Sequence, residues 1–330
     1  MKQVALFGAG RIGGIHAANL AGLPGVQLKY ISDPFAEAAR RLAEKYGARA
    51  DAHPDAIFQD PAVSAIIIGT PTTTHSALIQ QAAAAGKHIF CEKPVDLSTA
   101  RAQECAEAVA KAGVACMIGF QRRFDPSFSE AKRRLDDGEI GTPEMLVITS
   151  RDCAPPPIDY IRSSGGIFRD MLIHDFDVFR WILGDEAVWL SATGASLVDP
   201  AIGRAGDVDS VVVSLRTRSG RLCQINASRR AAYGYDQRFE VLGSAGLLAC
   251  ENLRPTAVCQ MDARGVHLDK PEHFFLQRYR EAYRLEIEHF FQQLETGASF
   301  RTGIADGVAA QRLADAAARS LASGQAVVFD

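Results

Sequence analysis

An α/β protein in two parts is what this sequence predicts, and three observations carry the prediction. Over residues 1–120 short apolar runs alternate with amphipathic or alanine-rich runs, the pattern of strands joined by crossover helices in a parallel sheet. The first apolar run ends in a glycine-rich turn that opens a helical run. Beyond residue 120 the alternation stops, and strand-like runs follow one another with few helices between them, the pattern of a large, mostly antiparallel open sheet. A chain of 330 residues exceeds what one core ordinarily serves. The expected domains are therefore 1–120, an α/β domain whose glycine-rich turn suits a nucleotide, and 121–330, an α+β domain.

Composition narrows the function classes. With 47% hydrophobic and 23% charged residues the chain has the balance of an ordinary globular protein. Lys+Arg 36 against Asp+Glu 39 leaves a net charge of -3, so no overall field recruits nucleic acid or a membrane surface, and the expected partner is a small molecule. The cysteines are scattered without a C-x-x-C pair, which suits buried apolar residues of a reducing compartment. Met1-Lys2 runs directly into an apolar strand and no 18-residue apolar run follows, so a cytoplasmic location is expected.

Taken in order, Gln3 to Phe7 is a buried-strand run, and Gly8-Ala9-Gly10-Arg11-Ile12-Gly13 follows it and opens a helix from Gly14 to Leu20. This is G-x-G-x-x-G between a strand and a helix, the context in which that motif binds a dinucleotide. Gly8 permits the tight turn, Gly10 lets the backbone approach a pyrophosphate, and Gly13 lets the helix pack closely. The helix N-terminus supplies N–H groups to the phosphates, so Arg11 and Ile12 join the three glycines as candidate cofactor-binding residues. The next strand, Val26 to Ile31, leads to Asp33, about 20 residues beyond Gly13, where a carboxylate accepts hydrogen bonds from the ribose hydroxyls. A carboxylate there repels a 2′-phosphate, so NAD is the expected cofactor rather than NADP.

Pro34 to Tyr46 reads as a helix and Ala62 to Ile68 as a buried strand. Ligands of doubly wound sheets lie outside the carboxyl ends of the strands, so Thr70, Pro71 and His75 are expected on the nicotinamide side of the cofactor. A helix from Ser76 to Ala85 leads to the strand His88 to Cys91 and then to Glu92-Lys93-Pro94. Pro94 fixes the backbone beside Lys93, and a lysine at a strand end is placed to hold a substrate hydroxyl and stabilise charge on its oxygen. Glu92 and Lys93 are also expected to border the cofactor. A helix from Ser98 to Ala112 and a strand from Val114 to Ile118 complete the first part.

The polar loop Gly119 to Pro126 marks the boundary, followed by a helix from Ser127 to Leu135 and a strand from Pro143 to Ser150. The proline-rich loop Asp152 to Arg162 is expected to rim the site, with Asp152 a candidate substrate ligand. From Gly165 the spacing of Ile167, Met171, Ile173, Phe176 and Val178 predicts one helix running to Leu183, with Asp170 and His174 a turn apart on one face. An imidazole beside a carboxylate is well suited to removing a proton near neutral pH. Strands are expected at 189–195, 210–216, 222–227, 238–242 and 247–250, and helices at 279–294 and 303–323. No His, Cys or carboxylate group has a metal-specific spacing, and no metal is expected.

With the glycine motif, Glu92-Lys93-Pro94 and Gly165-Gly166-x-x-x-Asp170-x-x-x-His174-Asp175 set out, the chain resembles the Gfo/Idh/MocA oxidoreductases over essentially its whole length. The resemblance implies a catalytic group of Lys93, Asp170 and His174 and an N-terminal Rossmann domain. Phe120-Gln121-Arg122-Arg123-Phe124-Asp125 resembles the F-x-R-R-[FY]-D segment of the family's myo-inositol 2-dehydrogenases, and Tyr233-Gly234-Tyr235-Asp236 and Ala282-Tyr283-Arg284-Leu285-Glu286 resemble segments near their inositol site. Arg122 and Tyr235 thereby join Lys93, Asp152, Asp170 and His174 as candidate substrate-binding residues; a salt-bridged hinge is the alternative for Arg122, Arg123 and Asp125. The implied activity is NAD-dependent oxidation of a cyclic polyol hydroxyl to a ketone, foremost myo-inositol to 2-keto-myo-inositol. Alternatives are a scyllo- or chiro-inositol or an aldose as substrate, a non-catalytic NAD-binding sensor, and a reaction without net redox. The resemblance also implies a homotetramer paired through the second domain's sheet.

Overall fold

Runs such as Val63-Ser64-Ala65-Ile66-Ile67-Ile68, β-branched and bounded by turn residues, are what a strand buried on both faces requires. The structure, a computed structural model, describes residues 1–51 and 53–329. Its first sheet has six strands, β1 (Lys2–Phe7), β2 (Val26–Ser32), β3 (Arg49–Ala50), β4 (Val63–Ile68), β5 (His88–Glu92) and β6 (Cys116–Gly119), of which β3 is a short exposed edge. All pair in parallel in the order β3-β2-β1-β4-β5-β6. The helices α1 (Arg11–Ala21), α2 (Ala36–Tyr46), α3 (Pro54–Gln59), α4 (His75–Ala84) and α5 (Thr99–Ala112) connect them. The order reverses between β1 and β4, the position where doubly wound sheets open a crevice for a nucleotide.

The remaining elements are α6 (Pro126–Asp136), β7 (Pro143–Arg151), α7 (Ile158–Ser164), α8 (Gly166–Asp170), α9 (Ile173–Leu183), β8 (Ala187–Ala195), α10 (Pro200–Arg204), β9 (Ser210–Thr217), β10 (Leu222–Ser228), β11 (Asp236–Gly243), β12 (Gly246–Cys250), the hairpin β13 (Cys259–Asp262) and β14 (Gly265–Leu268), α11 (Phe275–Arg278), α12 (Arg280–Thr296), α13 (Ile304–Ser323) and β15 (Val327–Val328). A seven-stranded sheet runs β12-β11-β7-β10-β9-β8-β15. Its pairings are antiparallel except β7 with β10, which is parallel. One face, with Leu146, Ile148, Val213, Leu215, Ile225 and Val241, is buried, and α9 packs against β7 through a helix whose Phe176, Phe179 and Ile182 are also buried. The alternate residues Met145, Val212, Leu222 and Leu242 are exposed on the other face.

Two compact units result: Met1–Phe124 with Glu281–Arg312, and Asp125–Arg280 with Leu313–Asp330. The sequence reading placed everything after residue 120 in the second domain, whereas Glu281–Arg312 packs with the first unit. The reason lies at the sheet edge. Ile118 of β6 donates its N–H to Thr302 O at 2.9 Å, and Met117 bridges to Gly303, so the returning segment covers an edge strand that would otherwise present unpaired groups. The same segment brings Phe290 against Phe90 (ring centroids 5.9 Å apart) and Phe300 against Phe290 (5.5 Å).

The expected single helix through Asp170 and His174 is broken. The N–H groups of Met171 and Leu172 both converge on Ile167 O at 3.0 Å, so the ladder skips a carbonyl and restarts at Leu172 O, which accepts from Phe176 N at 2.9 Å. Asp170 therefore ends α8 and His174 lies in the first turn of α9. The proline-rich segment is also not loop throughout, since Pro157 caps the short helix α7.

Candidate active site

The glycine turn of the first unit has the shape that a dinucleotide requires. A Cβ on Gly13 would stand 2.0 Å from Gly8 O, so α1 packs against the turn only with glycine there. A Cβ on Gly10 meets nothing within 4 Å. That open space sits at the N-terminus of an eleven-residue helix with no side-chain cap, in front of Arg11 and Ile12, and suits a pyrophosphate. Asp33, just beyond β2, accepts from Ala9 N at 2.7 Å and from Phe35 N at 2.8 Å. Its carboxylate thus ties the glycine turn to the end of β2, beside which an adenosine ribose would lie. The residues present fit NAD.

Two further strand-end loops are joined by a histidine. His75 is buried, with Nδ1 2.7 Å from Pro94 O and Nε2 2.9 Å from Thr70 O. Only an imidazolium would donate to both carbonyls, yet burial outweighs them and lowers its pKa. The neutral ring therefore donates to one carbonyl at a time. His75 braces the Thr70-Pro71 loop against the Glu92-Lys93-Pro94 turn, where the Lys93–Pro94 bond is cis. Lys93 is half-buried at the end of β5. The carboxylate of Glu92, a residue expected to border the cofactor, is buried and accepts from His16 Nε2 at 2.8 Å. Arg122 is buried in the short turn Gln121–Phe124. Its neighbour Arg123 donates to Arg301 O at 2.7 Å and pairs with Asp306 at 3.0 Å, within the first unit.

In the second unit Asp170 is the best-defined group. Arg229, at 1% exposure and just beyond β10, donates to Asp170 Oδ2 at 3.1 Å and lies 3.7 Å from Asp207. Tyr160 of α7 donates its hydroxyl to Asp170 Oδ1 at 2.8 Å. Burial, with Asp170 adding to it, pushes the Tyr160 phenol up, so the hydroxyl keeps its proton and remains a donor. The second of the paired glycines, which opens α8, has a steric cause: Gly166 has φ +80, and a Cβ on it would stand 2.9 Å from Asp207 Oδ1, which accepts from Ile167 N. Asp170 is thus an oriented ion-pair partner, and His174 is a nearly buried imidazole at the start of the next helix.

Asp152 is half-buried and donates its backbone N–H to Ser228 O at 2.9 Å. Tyr235 is buried, its ring edge-on to Tyr279 at 6.2 Å. Asp125 pairs with the buried Arg278 and caps α6 through Ser127 N and Phe128 N, both within the second unit. Sequence reasoning passed over Tyr160, Arg229 and His16. A signal for His16 was present, since it falls on the buried stripe of α1 with Gly13, Ala17 and Leu20.

Residues 2–120 match the model of an oxidoreductase family with an NAD-binding Rossmann fold, and residues 128–249 match the GFO/IDH/MocA C-terminal domain. Inositol 2-dehydrogenase of Rhizobium meliloti is 49% identical over 317 residues, covering 96% of this chain and 96% of that protein. The crystal structure of a myo-inositol dehydrogenase from Corynebacterium glutamicum superposes with a TM-score of 0.95 at 45% identity, covering 100% of this chain and 99% of that one. That of scyllo-inositol dehydrogenase from Lactobacillus casei, with bound NAD(H) and scyllo-inositol, superposes with a TM-score of 0.93 at 26% identity and covers 99% of each chain.

Proposed function

The chain belongs to the Gfo/Idh/MocA oxidoreductase family, and from that premise we propose that it oxidises a ring hydroxyl of a cyclic polyol to a ketone with NAD+, myo-inositol being the foremost substrate. The observation that carries this reading is Asp170, held by Arg229 and Tyr160 four residues before His174. An alcohol releases hydride readily only as its O–H proton leaves, so a base must stand at the hydroxyl. His174 takes that proton. Asp170, fixed by its two partners, orients the imidazole and stabilises the charge it gains. Lys93 holds the same oxygen and stabilises negative charge on it. Arg122, Asp152 and Tyr235 bind the remaining hydroxyls of the ring. NAD+, when bound, accepts the hydride.

The relatives favour an inositol over an aldose, and the scyllo-inositol enzyme from Lactobacillus casei keeps a second epimer open. Exposed apolar residues on the open sheet face support a homotetramer paired through that face. The modest net charge supports a small-molecule partner rather than nucleic acid. Among the described residues no helix is long and apolar enough to cross a membrane and every cysteine is free, which fits a reducing, cytoplasmic setting.

The test is NADH formation with myo-inositol beside scyllo-inositol, D-chiro-inositol and glucose. Turnover on an inositol, lost in Lys93→Ala and reduced roughly 10²–10⁴-fold in His174→Ala with NAD still bound, is the expected result. Silence on all four substrates with NAD binding intact overturns the substrate assignment, and near-normal turnover in His174→Ala overturns the base.

A further inference from the structure

His16 of α1, Glu92 at the end of β5 and Glu286 of α12 meet inside the first unit. The ligand atoms of the three side chains all lie within 4.8 Å of one another, and the residues are 0, 7 and 0% exposed. His16 Nε2 donates to Glu92 Oε1 at 2.8 Å while Nδ1 is buried without a partner, which places the ring proton on Nε2. Phe90 and Tyr283 stand edge-on to the imidazole, with centroids 5.1 and 6.2 Å away. A Cβ on Gly119 would come within 3.1 Å of the Glu92 carboxylate, so strand β6 packs closely against it. Both oxygens of Glu286 are buried with no hydrogen-bond partner, beside this pair. Two carboxylates in an apolar interior do not both ionise unless a cation or further donors compensate, and here a single imidazole N–H serves one of them.

We propose that Glu286 is a neutral carboxylic acid at physiological pH, and that the buried triad of His16, Glu92 and Glu286, carrying one negative charge on Glu92, positions the turn that bears Lys93. Burial first, and the charge of Glu92 second, hold the Glu286 carboxyl well above the usual carboxylate range. The turn is then anchored on both sides of Lys93: Glu92 by His16, and Pro94 O by His75 Nδ1 at 2.7 Å. An ionised Glu286 would set a second negative charge beside Glu92 and drive the end of β5 away from it. Glu286 is a positioning residue, acting through Glu92, and this role rests on the part given to Lys93 above.

The same side-chain types bind divalent cations, so the experiment separates a proton from a metal. Infrared spectra of the purified protein at neutral pH are expected to show a carboxylic acid carbonyl band that shifts in D2O and is absent from Glu286→Gln. Elemental analysis is expected to find no stoichiometric metal. Glu286→Ala should lower kcat about tenfold with little change in KM for NAD+, and Glu286→Gln, neutral and of matching size, should recover it to within about threefold. A missing band, a divalent metal present at one per chain and lost in Glu286→Gln, or equal kcat losses in both variants overturns the proposal. The band and the metal content are read without substrate and on the Gln variant alone if Glu286→Ala does not fold. A protein inactive on polyols would therefore refute the function and leave the triad to be judged separately.

Discussion

Asp170 is held by residues of two other elements, Arg229 and Tyr160, and Tyr160 offers the cleaner way to test the role proposed for it. Arg229 is so deeply buried that truncating it would remove a buried charge from beside Asp170 and Asp207 and risk the fold itself. Tyr160 is half exposed and contributes one hydrogen bond to a charged acceptor, worth about 1.5–3 kcal/mol where it is fully expressed. Tyr160→Phe is expected to lower kcat roughly three- to tenfold while NAD+ affinity stays unchanged, as steady-state kinetics with a cofactor titration would show. Equal kcat in the two proteins would remove Tyr160 from the site. The places of Gly8, Gly10 and Gly13 in the turn before α1, of Asp33 at the end of β2 and of Lys93 at the end of β5 were legible in the sequence because they depend on local order: a strand, a turn, a helix start. Arg229 and Tyr160 were not, because each is defined by a partner in another element. Glu286 lay between these cases. It interrupts the apolar stripe of α12 formed by Ala282, Tyr283, Ile287 and Phe290, and a charge on such a stripe is a sign of a buried partner.

At the scale of elements, periodicity located the longer strands and most of the long helices to within about two residues, and it passed over the short strands β3, β13, β14 and β15 and the short helices α3, α7, α10 and α11. It failed where hydrogen bonding depends on the third dimension. The Ile167 to Val178 spacing looks continuous, yet the ladder skips at Met171 and Leu172 and so separates Asp170 and His174 into two helices. Helix α12 offers a pH-dependent test. His289 is half-buried among Phe124 and Phe300, and its Nε2 accepts from Arg301 N at 3.1 Å. Burial, with Arg301 adding to it, lowers its pKa from 6.5 to about 4. The folded protein therefore declines a proton that the unfolded chain accepts below 6.5, and this contribution to stability is present above 6.5 and is lost as the pH falls toward 4. Thermal unfolding should show a fall in Tm over that window that is shallower in His289→Gln, which keeps an acceptor for Arg301 N without the titration. Parallel pH profiles would assign the acid sensitivity elsewhere.

For the whole molecule, the seven-stranded sheet presents Met145, Val212, Leu222 and Leu242 on its outer face, 39 to 45% exposed. Apolar side chains gathered on a sheet face are a common sign of subunit pairing. Light scattering is expected to give four chains of 35.6 kDa per particle, and Leu222→Glu to shift the distribution to smaller species by placing a charge in the contact. A wild-type monomer, or a Leu222→Glu protein of unchanged mass, counts against pairing through this face. The order in which the chain is synthesised matters too. The six parallel strands have all left the ribosome by Gly119, but the edge of β6 and the space around Phe90 wait for Thr302 and Phe290, which emerge only after the entire seven-stranded sheet apart from β15. The nascent nucleotide-binding half therefore spends most of translation with an uncovered strand edge and an unfilled aromatic core, and a fragment ending before residue 281 would keep both permanently.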